Sequence, residues 1–226
     1  MTTFRFTLLD VATAVVSAAI LALAVWVALA GPAGPLPMHF GADGQPDRWG
    51  DRNELAGALG LMAALGAGLG VGMGWYAARA DAPARRRGLR FAQGVSILAV
   101  GGSAAFMCAS ILGHVSGGQP LSVGWTLAGV GVLLAVIGAG MGRVAPNPFV
   151  GVRTPWSYKS RLAWDRSNRL AGRLMFWLGL AFMVLGPVAP QPWGSYGLIA
   201  GIFVAAGWSV FESWRVWRTD PNRQPF

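Results

Sequence analysis

Four side chains between residues 31 and 53 are of the types that bind metal ions or move protons: His39, Asp43, Asp47 and Asp51. Imidazole nitrogens and carboxylate oxygens serve both purposes. Their spacing matches neither an EF-hand loop nor a zinc motif, and the intervening prolines and glycines prevent a helix that would align them. The sequence therefore predicts neither a metal ion nor another cofactor, with a metal site in this segment as the alternative.

Aromatic residues in the same segment indicate a binding surface. The segment contains His39, Phe40 and Trp49 in a stretch rich in proline and glycine. Asp43 and Gly44 predict a turn within this stretch. Large aromatic side chains are common in binding surfaces, and tryptophan also anchors proteins at the membrane interface. The alternative is an interfacial lid held by Trp49. The candidate ligand-binding residues are His39, Phe40, Asp43, Asp47 and Trp49.

A second polar segment, residues 143–170, combines a helix start with basic and aromatic residues. Thr154 directly before Pro155 predicts a helix N-cap with proline in the first turn. We predict that an amphipathic helix runs from there into the next apolar span. Asp165 and Arg169, four residues apart, would support this helix as an ion pair.

The aromatic residues of this segment allow two interpretations. Trp156, Tyr158 and Trp164 are of the types that suit a membrane interface. In one interpretation an interfacial helix is held by anionic lipid. In the other, the segment is a docking surface for a protein partner.

Neither segment contains a recognisable catalytic arrangement. His39 with Asp43 or Asp47, or Arg153 with Asp165, could form polar sites. No pairing of a nucleophile with a base, metal motif or phosphate-binding loop accompanies them in the sequence. We predict that the protein is not an enzyme, with a membrane-embedded enzyme kept as an alternative.

The elements that position these segments are apolar spans. The 226 residues are 54% hydrophobic and only 12% charged, and the charges separate apolar blocks that are each long enough for a helix to cross a bilayer. The first block is longer than a signal peptide core, so we expect it to be retained. The predicted fold is all-α, a polytopic membrane protein with a bundle of six transmembrane helices: about Leu9 to Ala30, Glu54 to Ala78, Phe91 to His114, Leu121 to Gly142, Asn168 to Val188 and Gly194 to Trp214.

The basic residues predict the orientation of this bundle. All of the 18 lysine and arginine residues except Arg48 and Arg52 fall in segments on one side. The positive-inside rule places that side, and with it both termini, in the cytoplasm. The 31–53 loop is then external and the 143–170 loop cytoplasmic. The same distribution explains the net charge of +9 through topology, so we predict no direct contact with nucleic acid.

Two further features bear on transport and on oligomeric state. Ionisable residues lie near the ends of the spans, whereas transporters usually carry them at the bilayer centre, so a small-molecule transporter is only an alternative. Gly66, Gly70 and Gly74 in the second span repeat every four residues, as small residues do at close helix contacts. We expect packing inside the bundle, with a homodimer through this helix as the alternative.

Two stretches of the sequence resemble a known family. The run from Asn147 to Trp156, with Trp164 and the stretch from Asn168 to Gly172, resembles the signature of the SdpI family. The stretch from Pro37 to Trp49 resembles the N-terminal domain of unknown function that often precedes it. This resemblance divides the chain into an N-terminal membrane region, residues 1–114, and an SdpI-like C-terminal region, residues 115–226.

The resemblance also implies a function. A protein of this kind would be a multi-pass protein of the bacterial inner membrane that gives immunity to a secreted peptide toxin. It would also transduce a signal by sequestering a transcriptional autorepressor at the membrane. The residues expected to bind the cytoplasmic partner are Asn147, Gly151, Arg153, Thr154, Pro155, Trp156, Trp164, Asn168 and Gly172.

Overall fold

The computed structural model describes residues 6–115, 122–147 and 150–224. The predicted start of the fourth span at Leu121 and the basic residue Arg5 lie outside these ranges. In chain order the described elements are α1 (Leu8–Ala30), β1 (Leu36–Phe40), β2 (Pro46–Gly50), α2 (Arg52–Arg79), α3 (Pro83–Val115), α4 (Val123–Met141), α5 (Pro155–Tyr158), α6 (Arg161–Leu185), the 3₁₀ turn η1 (Gly186–Val188) and α7 (Trp193–Thr219).

Six of the helices in the described ranges are long and apolar enough to cross a membrane; α5, a single turn, is the exception. Their outer surfaces carry large apolar side chains such as Phe203, Val204 and Trp177, each more than 60% exposed. A bundle in lipid has this property, because its outer face needs no polar cover. The predicted all-α, six-helix membrane fold is confirmed.

One end of the bundle collects most of the basic residues, and we call it the basic end. There α1 and α3 begin and α4 and α7 end. Helix α3 begins at Pro83, well before the predicted Phe91, so Arg85 and Arg87 belong to its first turns instead of a loop. Leu89, almost fully buried, packs this extension against Ala77 and Ala80 at the end of α2, and Gly88 faces Val144 just after α4.

Helices α1, α2 and α3 pack against one another through the predicted glycine row. A Cβ placed on Gly70 would lie 2.4 Å from a side-chain carbon of Thr13, and one on Gly74 would lie 2.5 Å from Oδ1 of Asp10. Gly66 likewise meets side chains of α1 and α3. The row therefore faces the interior, as expected. Gly68 faces open space, and the homodimer stays a prediction.

A polar cluster joins α1 and α3 near the basic end, beside Gly74 of α2. Oδ1 of Asp10 accepts hydrogen bonds from Arg90 at 2.5 Å and from Gln93 at 3.0 Å. The Gln93 amide, which is fully buried, also donates to Thr13 at 3.2 Å. Removing one partner would leave a buried charge or amide unsatisfied, so these bonds fix the start of α1 against α3.

Helices α4 and α6 contact each other through glycines spaced seven residues apart on each helix. A Cβ on Gly138 would lie 2.4 Å from the backbone nitrogen of Phe176, and one on Gly179 would lie 2.4 Å from that of Ala135. Backbone atoms cannot move aside as a flexible side chain can, so these positions require glycine at this helix separation. The facing pairs are Gly131 with Gly179 and Gly138 with Gly172, and Gly124 faces Gly186 of η1 directly after α6.

The loop after α1 forms a β-hairpin, which the sequence did not predict. Strands β1 and β2 pair antiparallel, with Leu36 opposite Gly50 and Pro37 opposite Trp49. Pro37 is tolerated because each strand of a two-stranded ribbon has an unpaired edge. The predicted turn at Asp43 and Gly44 closes the hairpin, and Gly44 has a φ of +84°.

The hairpin contacts both groups of helices, the first formed by α1, α2 and α3 and the second by α4, α6 and α7. Leu36 is 1% exposed and belongs to the core that α1, α2 and α3 share. At the tip, a Cβ on Gly44 would lie 3.2 Å from the Val123 side chain at the start of α4. The hairpin therefore covers the end of the bundle opposite the basic end and contacts both groups.

Candidate functional site

Residues 144–147 and 150–160, which we call the signature loop, fold onto α6 and α7 at the basic end. The Asn147 side chain organises the first half of this loop. Its Nδ2 donates to the carbonyls of Ala145 at 2.9 Å and Val150 at 3.0 Å, and its Oδ1 accepts from the Val150 N–H at 2.8 Å. A buried amide that satisfies three backbone groups closes the loop around itself.

Asn168 of α6 holds the middle of the signature loop. Its Oδ1 accepts a hydrogen bond from the Val152 N–H at 2.7 Å, and its Nδ2 donates to the Trp164 carbonyl at 2.9 Å. Gly151 has a φ of +130°, and a Cβ there would lie 2.8 Å from Oδ1 of Asn168. The backbone conformation and the lack of space both require glycine at this position.

Trp164 is the largest fully buried side chain of the described residues. Its Nε1 donates to the Val144 carbonyl at 2.9 Å, and its ring packs against Tyr158 at 5.7 Å between centroids. The Tyr158 hydroxyl in turn donates to the Asn147 carbonyl at 3.2 Å. The Trp164 ring therefore makes no contact with lipid, because the loop folds over the indole and supplies its acceptor.

Thr154 begins α5 as predicted and also links the loop to α7. Its Oγ1 accepts from the Ser157 N–H at 3.1 Å, and the Ser157 hydroxyl accepts from the Thr154 N–H at 2.9 Å. The same Thr154 oxygen lies 2.8 Å from the hydroxyl of Ser213. All three hydroxyl-bearing residues are buried, so this network fixes α5 to the last helix.

The predicted continuous helix from Pro155 into the fifth span is wrong. Helix α5 ends at Tyr158, and α6 begins at Arg161 with Ser160 as its N-cap. The Ser160 hydroxyl accepts from the Ala163 N–H at 3.0 Å and donates to Asp220 at 2.5 Å. The capping hydroxyl of Ser160, held by the buried carboxylate of Asp220, stabilises the break between the two helices. The prediction failed because Asp220 lies 60 residues away from Ser160 in the sequence.

The predicted partner-binding residues divide into two groups. Most fold the loop: Asn147, Thr154, Trp164 and Asn168 are buried, Gly151 permits the close approach, and Gly172 packs against α4. Arg153 and Pro155 are exposed, and Trp156 is half-buried. Only the second group is available at the surface for a protein partner.

A cavity of about 320 Å³ opens beside Arg153 and extends between α6 and α7. Thr154 and Ser209 contribute polar atoms to its wall, and both already have hydrogen-bond partners. The remaining lining is apolar and includes Met175 and Ile202. The cavity is therefore mostly apolar, and Arg153 is the one charged residue that the structure describes in its lining.

The hairpin brings two of the predicted external residues together. Nδ1 of His39 and Oδ1 of Asp47 lie 2.5 Å apart and are more than half exposed. Asp43 accepts from the Gln45 N–H at 3.0 Å at the tip, and Asp51 caps α2 by accepting from the backbone of Asn53 and Glu54. His39 and Asp47 therefore contact each other, whereas Asp43 and Asp51 each accept hydrogen bonds from backbone N–H groups.

The aromatic residues of the hairpin are accessible to different degrees. Trp49 is 47% exposed, whereas Phe40 is half-buried. In the described part of the chain no three His, Cys, Asp or Glu side chains are grouped to hold a metal ion. Arg48 and Glu54 form an ion pair beside Trp49.

The sequence interpretation missed several residues that build the site. Ser157 and Ser160 were detectable, since each lies three residues from its capping partner. Ser213 was detectable as a hydroxyl in an apolar helix, where such groups tend to face the interior. Asp220 gave no signal, because its partner Ser160 is distant in sequence.

Comparisons with known proteins agree with the resemblance of residues 147–172 to the SdpI family. A model of the SdpI/YfhL protein family matches residues 143–213. The chain is also 35% identical over 57 residues to the immunity protein SdpI of Bacillus subtilis (strain 168). That alignment covers 25% of this chain and 28% of the relative's length. No solved structure matches the chain. The likeness to the SdpI family is thus confirmed for the C-terminal part, and the N-terminal domain of unknown function stays a prediction.

Proposed function

We propose that this chain is an immunity protein of the bacterial inner membrane that resists a secreted peptide toxin. The observation that carries this proposal is the signature loop, whose buried residues build one rigid surface within the segment that matches the SdpI family. The relative named as an immunity protein supports the same function. The six spanning helices supply the membrane location.

The basic end of the bundle is the cytoplasmic end in this proposal, with both termini inside. The two membrane regions, residues 1–114 and 115–226, act together, since the hairpin of the first contacts Val123 of the second. The positive-inside rule supports this orientation. The hairpin then faces the compartment from which a secreted toxin arrives.

The external contact is made by the exposed side of the hairpin. Trp49 offers an apolar ring, and the pair of His39 and Asp47 lies nearby as a polar neighbour. A hydrophobic peptide would bury the ring and hydrogen-bond to the polar pair. Rigid aromatic anchors of this kind contribute strongly to peptide binding.

The cytoplasmic contact is made by Arg153, Pro155 and Trp156. These side chains extend from a loop whose backbone is fixed by Asn147 and Asn168, so little ordering accompanies binding. The neighbouring cavity accepts an apolar anchor of the partner. We propose that the partner is a transcriptional autorepressor held at the membrane when toxin is present.

The α4–α6 contact connects the two surfaces. Helix α4 begins beside the hairpin tip, and its row of glycines faces α6, which carries Asn168 near its other end. A ligand on the hairpin shifts the bundle only if it binds one of two arrangements more tightly. We propose that the external ligand favours the arrangement in which the signature loop binds the repressor.

Recruitment of a fluorescent repressor to the membrane tests the cytoplasmic half of this proposal. The probe is a candidate autorepressor, fused to a fluorescent protein and imaged with and without toxin. Arg153→Ala with Trp156→Ala should abolish recruitment, while membrane insertion stays intact. Lys159→Ala, an exposed cation just after α5, is the matched control. Full recruitment by the double variant would remove the signature loop from the mechanism.

A further inference from the structure

A groove between α6 and α7 near the basic end is lined by several arginine side chains. Its volume is about 570 Å³. Arg166, Arg169 and Arg173 lie on one face of α6, since they are spaced three and four residues apart. The lining residues are Leu162, Arg166, Arg169, Leu170, Arg173, Trp208 and Glu212.

The depth of these arginines follows from the length of the span. A helix needs about 20 residues to cross the hydrocarbon core, so a crossing that ends at Val188 begins near Arg169. Arg173 lies one turn further along, inside the apolar region. A guanidinium at that depth is costly unless its side chain reaches the interface or meets an anion.

The protein supplies little negative charge to this groove. Both carboxylate oxygens of Glu212 accept hydrogen bonds from Arg215, at 2.8 and 2.9 Å. Asp165 lies 3.8 Å from Arg169, and both side chains are more than half exposed, so this pair is weak. The side chains of Arg166 and Arg173 have no hydrogen bond or ion pair with any residue that the structure describes.

The rest of the lining is suited to a lipid. Trp208 is 62% exposed and lies one turn from Glu212, where aromatic rings meet the boundary between headgroups and acyl chains. Leu162 and Leu170 give the groove an apolar side. Arg169 and Arg173 also line a second groove on the other side of α6, together with Arg143. Basic pockets between membrane helices at the cytoplasmic side bind the headgroups of anionic lipids.

We propose that the α6–α7 groove is a binding site for an anionic phospholipid, whose phosphate is held by Arg169 and Arg173 with Arg166 beside it. Arginine suits this ligand because its fork of N–H donors matches two phosphate oxygens. The acyl chain lies along Trp208. This site does not depend on the proposed immunity function.

Lipid titration of the purified full-length protein, followed by native mass spectrometry, tests the site. The probes are phosphatidylglycerol and phosphatidylcholine with identical acyl chains. Phosphatidylglycerol should bind more tightly to the wild-type protein. Arg169→Gln with Arg173→Gln should weaken its binding about thirtyfold, because each arginine near a membrane surface contributes about a factor of five.

Matched variants separate a specific site from general attraction to charge. Arg85→Gln with Arg87→Gln removes the same charge from exposed positions at the same end and should leave binding unchanged. Equal losses in the two double variants would overturn the proposal. Arg169→Lys with Arg173→Lys keeps the charge and should retain part of the preference for phosphatidylglycerol. Retained binding in this variant shows that the loss in the glutamine variant does not come from misfolding.

Two outcomes with the wild-type protein alone would also overturn the assignment. One is equal binding of the two lipids. The other is complete displacement of phosphatidylglycerol by inorganic phosphate, which would assign the groove to a free anion. Retention of the lipid in excess phosphate is the expected result.

Discussion

The hydroxyl of Thr154 lies 2.8 Å from the hydroxyl of Ser213, and both residues are buried. This contact joins the signature loop to the last membrane helix across 59 positions of sequence. Thr154 also caps α5. One side chain therefore fixes both the local turn and its place on the bundle.

Thr154→Val should lower the free energy of unfolding by about 1–3 kcal/mol, because a buried donor and acceptor lose their partner. Thermal unfolding in detergent measures this loss. Ser213→Ala should cost less, since the α5 cap survives. The loss measured for the double variant should be smaller than the sum of the two single losses, because both substitutions remove the same contact. Simple additivity would show that the two hydroxyls are not coupled.

The facing glycines of α4 and α6 give a second prediction. Gly138→Ala places a methyl group against backbone atoms of Phe176 and Gly172, so the helices must separate. We expect a loss of about 1–3 kcal/mol, as for other overpacked positions. Unfolding in dodecyl sulfate, followed by circular dichroism, measures it.

Gly129→Ala is the matched control, on the same helix. A Cβ at Gly129 meets nothing within 4 Å, so this change should stabilise the helix by up to about 1 kcal/mol through helix propensity. Equal effects of the two substitutions would contradict the close contact between α4 and α6.

The sequence predicted the parts of this fold that depend on local signals. Apolar length predicted the six spans, and the pair of Thr154 and Pro155 predicted the start of α5. The turn at Asp43 and Gly44 was also local. The sequence did not predict the hairpin as a whole, because the strand pairing is irregular on both sides of His39 and both strands contain proline.

The interior of the signature loop depends on contacts between distant residues and was therefore missed. The burial of Trp164 depends on the Val144 carbonyl, and the helix break at Ser160 depends on Asp220. The seven-residue spacing of glycines in α4 and α6 was readable, but only a structure shows that the two rows face each other. Arg153 and Trp156 remain predicted contacts on a surface whose framework is now defined.

The hairpin gives a prediction that separates binding from folding. Trp49→Ala should reduce protection against a toxin and destabilise the fold less than a substitution in the core, because this ring is half exposed. Leu36→Ala, in the paired strand, removes a side chain that is 1% exposed and should cost about 2–5 kcal/mol. Comparison of survival with thermal stability for the two variants makes this test. Wild-type protection by Trp49→Ala would exclude the ring from toxin contact.

The orientation of the bundle can be measured with single cysteines in a Cys108→Ser background. Ala42→Cys, at the exposed hairpin tip, should react with a membrane-impermeant maleimide added to intact cells. Arg223→Cys, after α7, should react only once the cells are opened. Labelling of Arg223→Cys in intact cells would reverse the proposed topology and place the signature loop outside.

Survival of toxin-treated cells tests the immunity function most directly. The chain is expressed in a sensitive bacterium, its membrane insertion is verified, and the cells are exposed to a panel of secreted peptide toxins. The panel includes the toxin countered by the Bacillus subtilis immunity protein SdpI. We predict survival well above that of cells with an empty vector for at least one toxin. Death at the control rate with every toxin, despite verified insertion, would contradict the assignment as an immunity protein.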